Sequence, residues 1–182
     1  MMDLPQFTIG PAHPHHAAAV AAIYAHHVLH GTATFETEPP DEAEMAVRLA
    51  KVVSAGAPWL VAQDRGGALL GYAYASQFRD RPAYRMTCEN SIYLREDCRG
   101  MGLGTALLTA LIEASAQAGF RQMIAVIGGA EPGSIALHAA LGFVHAGRMR
   151  STGRKHERWL DTVYMQLPLG AGDSAPPGEE PA

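Results

Sequence analysis

A chain of 182 residues with 14 Lys+Arg against 18 Asp+Glu has a formal net charge of −4, which argues against a nucleic-acid binder because phosphate recognition needs a surplus of cations. With 48% apolar and 18% charged residues and no long unbroken apolar run, the chain reads as one globular domain that neither spans a membrane nor stays unfolded. Two cysteines, Cys88 and Cys98, are too few for a disulfide framework, and the start, MMDLPQF, lacks the basic and apolar regions of a signal peptide, so a reduced, cytoplasmic setting is expected.

Phe7 to Ile9 suits a short strand. Pro14 fits a first helical position, and Ala17 to Leu29 is helix-forming and largely apolar. Asp41 with Glu44 three residues on resembles a capping box opening a second helix towards Ser54. Trp59 to Gln63 and Ala68 to Ser76 flank Asp64-Arg65-Gly66-Gly67, a hairpin signal. A strand is expected at Met86 to Leu94, then a helix from about Gly102 to Ala118 and a buried strand at Met123 to Ile127. Ser134 can cap a short helix to Leu141 with Gly142 as its stop. Two last strands fit Phe143 to Met149 and Trp159 to Leu167. This order mixes hairpins with one βαβ unit, so the fold class is α+β, or mixed α/β, rather than a doubly wound sheet. The domain is expected over residues 1–169.

From Gly170 the sequence GAGDSAPPGEEPA reads as a disordered tail rich in Gly and Pro. It carries three acids and no base, which leaves 15 acids against 14 bases in the body, a charge of −1. Acids crowd at Glu36, Glu38, Asp41, Glu42 and Glu44, and bases at Arg148, Arg150, Arg154, Lys155 and Arg158. Such runs ordinarily read as solvated faces.

The most informative stretch is Ser91-Ile92-Tyr93-Leu94 followed by RGMGLGT, Arg99 to Thr105, which opens a helix. Glycines at every second position let the backbone turn tightly, and the helix adds unpaired N–H groups and a positive dipole end. Together they suit a pyrophosphate. The glycine spacing does not fit a dinucleotide fingerprint, and the Gly-Lys-Ser/Thr of a kinase-type loop is absent. A loop whose glycines serve only tight packing is the alternative.

Arg-x-x-Gly-x-Gly, formed by Arg99, Gly102 and Gly104, resembles the acetyl-CoA motif of the GNAT superfamily of N-acetyltransferases. The body up to about Leu169 is further similar to phosphinothricin and methionine sulfone or sulfoximine N-acetyltransferases. The stretches that carry this likeness are TATFETEP (Thr32 to Pro39), GYAYASQFRDRPAYR (Gly71 to Arg85), CENSIYL, RGMGLG, AVIG (Ala125 to Gly128), SIALHAALGF (Ser134 to Phe143) and RWLDTVYMQ (Arg158 to Gln166). The resemblance implies a central mixed, mostly antiparallel sheet flanked by helices, with acetyl-CoA as cosubstrate and no metal. Backbone groups of Ile92, Tyr93 and Leu94 would hold the pantetheine arm and thioester. Arg99, Gly100, Met101, Gly102, Leu103, Gly104 and Thr105 would hold the pyrophosphate, with Ser134 as a further coenzyme contact. Glu131 stands where the family usually has Asn and is left out of the site, since a carboxylate beside phosphates is unhelpful.

Amine acetylation needs a neutral amine, whereas a free α-amino group with a pKa near ~8 is mostly protonated at neutral pH. Glu89, inside an apolar-biased strand, is the candidate base, since desolvation there raises a carboxyl pKa. The resemblance places the family's proposed base at the same residue. The alternative is an edge-facing Glu paired with an arginine. His138 lies four residues before Gly142. Many GNAT enzymes have a Tyr at that position that protonates departing CoA, so His138 takes a coenzyme-side or proton-shuttle role. A packed or surface histidine is the plainer alternative. Backbone N–H groups around Ile92 and Leu94 could stabilise the oxyanion. Cys88 and Cys98 lack a nucleophile's signature and read as a small buried residue and a loop residue.

Arg79, Arg81 and Arg85 share a loop with Phe78 and Tyr84. Guanidinium forks suit the carboxylate of an amino-acid acceptor. Equally open is a solvated loop whose arginines pair with the acidic 36–44 run. The resemblance makes Phe35, Glu36, Pro82, Ala83, Tyr84 and Arg85 an acceptor wall for a small amino-acid-like substrate, completed by a second subunit of a homodimer. His26 and His30 have a spacing that can bind a metal, but no Cys or carboxylate cluster joins them, so a solvated helix face is expected. Rival readings are a regulatory acetyl-CoA-binding module and an acetyltransferase for polyamines or peptides.

Overall fold

In a computed structural model that describes residues 7–177, seven strands form one sheet. They are β1 (Phe7–Pro11), β2 (Trp59–Asp64), β3 (Leu69–Gln77), β4 (Thr87–Leu94), β5 (Gln122–Gly128), β6 (Val144–Lys155) and β7 (Arg158–Pro168). Their spatial order is β1-β2-β3-β4-β5-β7-β6, and every pair is antiparallel except β4 with β5. The expected mixed, mostly antiparallel sheet is therefore present. Its one parallel pair is the βαβ unit closed by α3 (Leu103–Gln117).

Alternation along the strands sends side chains into two cores. Val61 and Tyr72 pack with Val20, Tyr24, Met45 and Leu49 of α1 (Ala17–His30) and α2 (Glu42–Ser54). Their chain neighbours Ala62 and Ala73 pack with Leu107, Leu108 and Leu111 of α3. Ile135 and Leu137 of α4 (Pro132–Ala140) border that second core. No helix among the described residues is long and apolar enough to cross a membrane.

Local signals explain most of the boundaries. Asp41 accepts a hydrogen bond from the Glu44 N–H at 2.8 Å, but the Glu44 carboxylate turns to Arg48, so only half of the capping box forms. Asp64 accepts from Gly66 and Ala68 N–H in the predicted hairpin turn. Three expectations shift. Pro14 opens a short 3-10 turn, Pro14–His16, and the α-helix starts only at Ala17. The last helix begins at Pro132, whose fixed φ suits a first helical position, with Glu131 rather than Ser134 as its N-cap. β6 runs on to Lys155 as an edge strand with most residues exposed. Of the tail, residues 178–182 lie outside the described residues. Before them, turns after the buried Leu169 lie against Arg121, which donates to the carbonyls of Gly172 (2.8 Å) and Ala175 (2.6 Å).

Candidate active site

β4 and β5 pair only from Thr87–Asn90 to Gln122–Ala125. From Ser91 onward no β5 residue pairs with β4, while β5 continues to Gly128 bonded to β7. The strands therefore part into a notch with one edge of β4 open. The loop after α1 closes in on the β5 side: a methyl group on Gly128 would lie 2.9 Å from the Ala33 carbonyl oxygen. At the far end of β4, His27 Nε2 donates to the Leu94 carbonyl at 2.8 Å. Burial lowers the His27 pKa, which keeps the ring neutral.

Below Leu94 the glycines divide their work. Gly100 and Gly102 have φ of +75° and +77°, a region that glycine enters without strain. Gly102 is the N-cap of α3 and offers no side-chain cap, so the first-turn N–H groups are free to hold an anion. Gly104 is already helical, and a methyl group there would meet Leu94 and Leu137 only at ordinary contact distance. A cleft of about 1010 Å³ joins this loop to the notch. Ile92, Tyr93, Leu94, Arg99, Gly100, Gly102, Gly104, Thr105 and Ser134 line it, as do Glu131, Arg158, Thr32 and Ala33. Met101 is exposed and Leu103 is buried in the core, so neither side chain contributes to the lining. His26, His27 and His30 also border the cleft rather than bare solvent, and His26 Nε2 stands 3.3 Å from Glu96. Among the described residues no group of three His, Cys, Asp or Glu could hold a metal ion.

One residue before the last β4–β5 pair sits Glu89, half-buried, opposite Ser76 of β3 and Ile124 of β5 and not among the residues that line the cleft or the notch. Burial pushes its carboxyl pKa up, against a smaller opposing pull from Arg79. Tyr74 feels the charges of Glu89 and Glu36 and bonds Ser91. The next residue, Asn90, faces the other side of the sheet. Its Nδ2 lies 2.9 Å from Nε2 of the buried His138, whose Nδ1 bonds the Ser134 carbonyl at 2.7 Å. Burial lowers the His138 pKa, against a smaller opposing effect of the Ser134 bond. Cys88 is buried beside this pair with its thiol pushed up to about 12, out of range for a nucleophile.

In the loop between β3 and β4 Arg79 lies over the Phe78 ring at 4.2 Å, and Tyr84 meets the same ring edge-on at 5.9 Å. Pro82–Tyr84 form a short 3-10 turn that presents an exposed Tyr84. The Glu36 carboxylate accepts from Arg48 and Tyr24 and so anchors the loop that carries the exposed Phe35. Arg48, from the acidic helix itself, is thus the partner of both Glu36 and Glu44, a pairing that one of the two sequence readings gave to the loop arginines. Lys155, buried at the end of β6, donates to the Thr34 carbonyl at 2.9 Å. Sequence reading missed Asn90, Arg48 and Lys155. Only Arg48 had a local signal, its four-residue spacing from Glu44.

A ligand matched to this cleft has an anionic end for the glycine loop and an extended arm for the open edge of β4 that ends in the notch. Coenzyme A thioesters are built in that way, so fold and site define an acyl-CoA-dependent transferase. Residues 12–164 match the acetyltransferase (GNAT) domain model, and the chain belongs to this family. It is 53% identical over 160 residues to phosphinothricin N-acetyltransferase of Alcaligenes faecalis, covering 87% of this chain and 81% of that protein. It is 41% identical over 157 residues to an L-methionine sulfoximine/L-methionine sulfone acetyltransferase of Pseudomonas paraeruginosa, covering 86% and 91%. The crystal structure of a phosphinothricin acetyltransferase from Sinorhizobium meliloti in complex with acetyl-CoA superposes with a TM-score of 0.94 at 52% identity, covering 96% of this chain and 94% of that one. The protein is an acetyl-CoA-dependent N-acetyltransferase.

Proposed function

We propose that the acceptor is the α-amino group of a small amino acid whose side chain ends in a tetrahedral polar group, of the phosphinothricin, methionine sulfone or methionine sulfoximine type. The amine attacks the thioester directly, with Glu89 taking its proton. Acetyl-CoA supplies the electrophilic acetyl group; the remaining work falls to the chain. The observation that carries this reading is the half-buried Glu89, one residue before β4 and β5 part, with its pKa raised by desolvation. A carboxylate poised nearer neutral pH accepts a proton from an ammonium more readily than an ordinary one. Free N–H groups on the open edge of β4, at Ile92 and Leu94, suit the oxygen that gains charge during attack. Arg79, Arg81 and Arg85 supply guanidinium forks for the acceptor carboxylate, with Phe35, Pro82, Ala83 and Tyr84 as its apolar wall. His138, neutral and bonded at both ring nitrogens, fits a positioning role better than that of a proton donor.

A homodimer belongs to the same reading. Val144, Met149 and Trp159 leave apolar surface exposed on the β6–β7 ribbon, as an interface between copies requires. Release of CoA, followed across amino acids, their phosphinate, sulfone and sulfoximine analogues, polyamines and peptides, tests the acceptor. Turnover with the tetrahedral analogues is the expected result. Turnover with polyamines or peptides alone overturns it.

A further inference from the structure

Asn90 is 6% exposed, and its Oδ1 has no hydrogen-bond partner among the described residues. Buried amide oxygens are rarely left so, because the lost hydration is not returned. The orientation of this amide is fixed by chemistry rather than chance. The Ser134 carbonyl can only accept, so the proton of the neutral His138 ring sits on Nδ1, 2.7 Å away. That leaves Nε2 as an acceptor, and the only group of Asn90 that can serve it is the donor Nδ2, at 2.9 Å. The ring thus turns Oδ1 away from itself. Asn90, His138 and Ser134 all line the inner end of the notch, a space of about 50 Å³ between the parted strands. Ser91 and Gly128 line the same space.

On the reading above, the cosubstrate runs from the glycine loop along the open edge of β4, and its last amide before the sulfur meets the inner end of the notch, where Asn90 makes the last pairing with β5. We propose that Asn90 Oδ1 accepts a hydrogen bond from the N–H of the pantetheine amide nearest the thioester, and that His138 is the positioning residue that presents it. The inference rests on acetyl-CoA as cosubstrate and goes beyond it by assigning a side-chain contact to Asn90 and a tautomer to His138. Protonation of His138 would remove the Nε2 lone pair and set two donors against each other, so the pair works only with a neutral ring.

Calorimetric titration with CoA and with adenosine 3′,5′-bisphosphate, which keeps an anionic end but has no pantetheine arm, tests this. Asn90→Ala is expected to weaken CoA by about 5- to 30-fold, the size of one buried hydrogen bond, and to leave the bisphosphate unchanged. His138→Phe is expected to give the same selective loss and to add nothing in the Asn90→Ala background. Nitrogen-15 imidazole spectra of the wild type should show His138 as the Nδ1–H tautomer. The isosteric Asn90→Asp guards against misfolding of the alanine variant. It keeps an acceptor in the notch but offers His138 no donor, so CoA binding persists while the ring keeps its Nδ1 proton for Ser134 and takes up a second one on Nε2. Equal weakening of both ligands, weakening of neither, or a full additional loss from His138→Phe overturns the proposal. A wild type that binds the bisphosphate but gains nothing from the arm of CoA overturns it too. A wild type that binds neither ligand overturns the cosubstrate reading beneath it as well.

Discussion

Arg48 grips the Glu36 carboxylate with two nitrogens, at 2.7 and 3.1 Å, one on each oxygen. Tyr24 adds a third bond at 2.9 Å and also meets the Thr34 hydroxyl at 2.7 Å. With Lys155 on the Thr34 carbonyl, these contacts fix the loop that closes the notch and carries Phe35. The loop has little apolar burial of its own, so charge-assisted bonds set its position.

Arg48→Met should therefore loosen this loop without disturbing the core. Burial pushes the Glu36 pKa up, but the bonds from Arg48 and Tyr24 outweigh it and hold the carboxyl below its usual range. A depressed carboxyl contributes stability that is present above its unfolded pKa and is lost as pH falls through the folded one. The variant should unfold at a higher pH on acidification, and lose about 1 kcal/mol at neutral pH, since both side chains are more than a third exposed and screened. Urea titrations at pH 7 and an acid titration check both. An unchanged acid midpoint would show that the pair does not anchor the fold.

Glu89→Gln should separate stability from activity. The Glu89 pKa is raised by burial, so the folded state holds a proton that the unfolded chain releases. Stability is then lost as pH rises from the unfolded value through the raised one. Replacing the carboxyl by an amide should stabilise the protein at neutral pH while lowering turnover by roughly 10²–10⁴-fold. The wild-type rate should fall on acidification through the raised pKa, and that limb should vanish in the variant. Coenzyme affinity should hold. Full turnover across pH 6 to 9 would remove Glu89 from the chemistry.

The elements that were legible in the sequence were those fixed by neighbours in the chain. The Asp41 cap, the Asp64 turn and the glycine loop ahead of α3 each depend on groups within a few residues. Local pattern misled where two residues competed for one role: Ser134 has the chemistry of a cap, but Pro132 starts the helix two residues earlier and leaves Ser134 Oγ 3.4 Å from His138 Nδ1. Gly104 looked like part of the turn, although it already lies in the first turn of α3. The parting of β4 from β5 was not readable, because it depends on where two strands 35 residues apart stop pairing, Asn90 with Ala125. The Asn90–His138 bond bridges 48 positions for the same reason.

Gly153→Ala should act on the acceptor alone. The Phe35 ring packs on Gly153 so closely that an added methyl would overlap it. Overpacking of this kind costs about 1–3 kcal/mol unless the ring swings away, and Phe35 is exposed enough to do so. The ring would then leave the proposed acceptor wall. KM for the acceptor should rise roughly tenfold, in line with a changed pocket contact, while CoA affinity stays constant. Steady-state kinetics with both substrates varied checks this. A rise in the KM for acetyl-CoA instead would place Phe35 on the coenzyme side.

Gly102→Ala probes the opposite end of the cleft. Nothing lies within 4 Å of a methyl group added there, so the variant meets no clash. Its cost is conformational: φ of +77° forces an L-residue into the left-handed region, about 1–2 kcal/mol. The loop can escape that strain only by turning the N-terminus of α3, and with it the free N–H groups that suit the pyrophosphate. Affinity for both CoA and adenosine 3′,5′-bisphosphate should drop by about tenfold, the equivalent of that strain. This is the counterpart of the outcome expected for Asn90→Ala, where only the ligand with an arm should be weakened. If Gly102→Ala weakened CoA but spared the bisphosphate, the anionic end would have to lie elsewhere in the cleft, with Arg99 and Arg158 as the remaining lining cations.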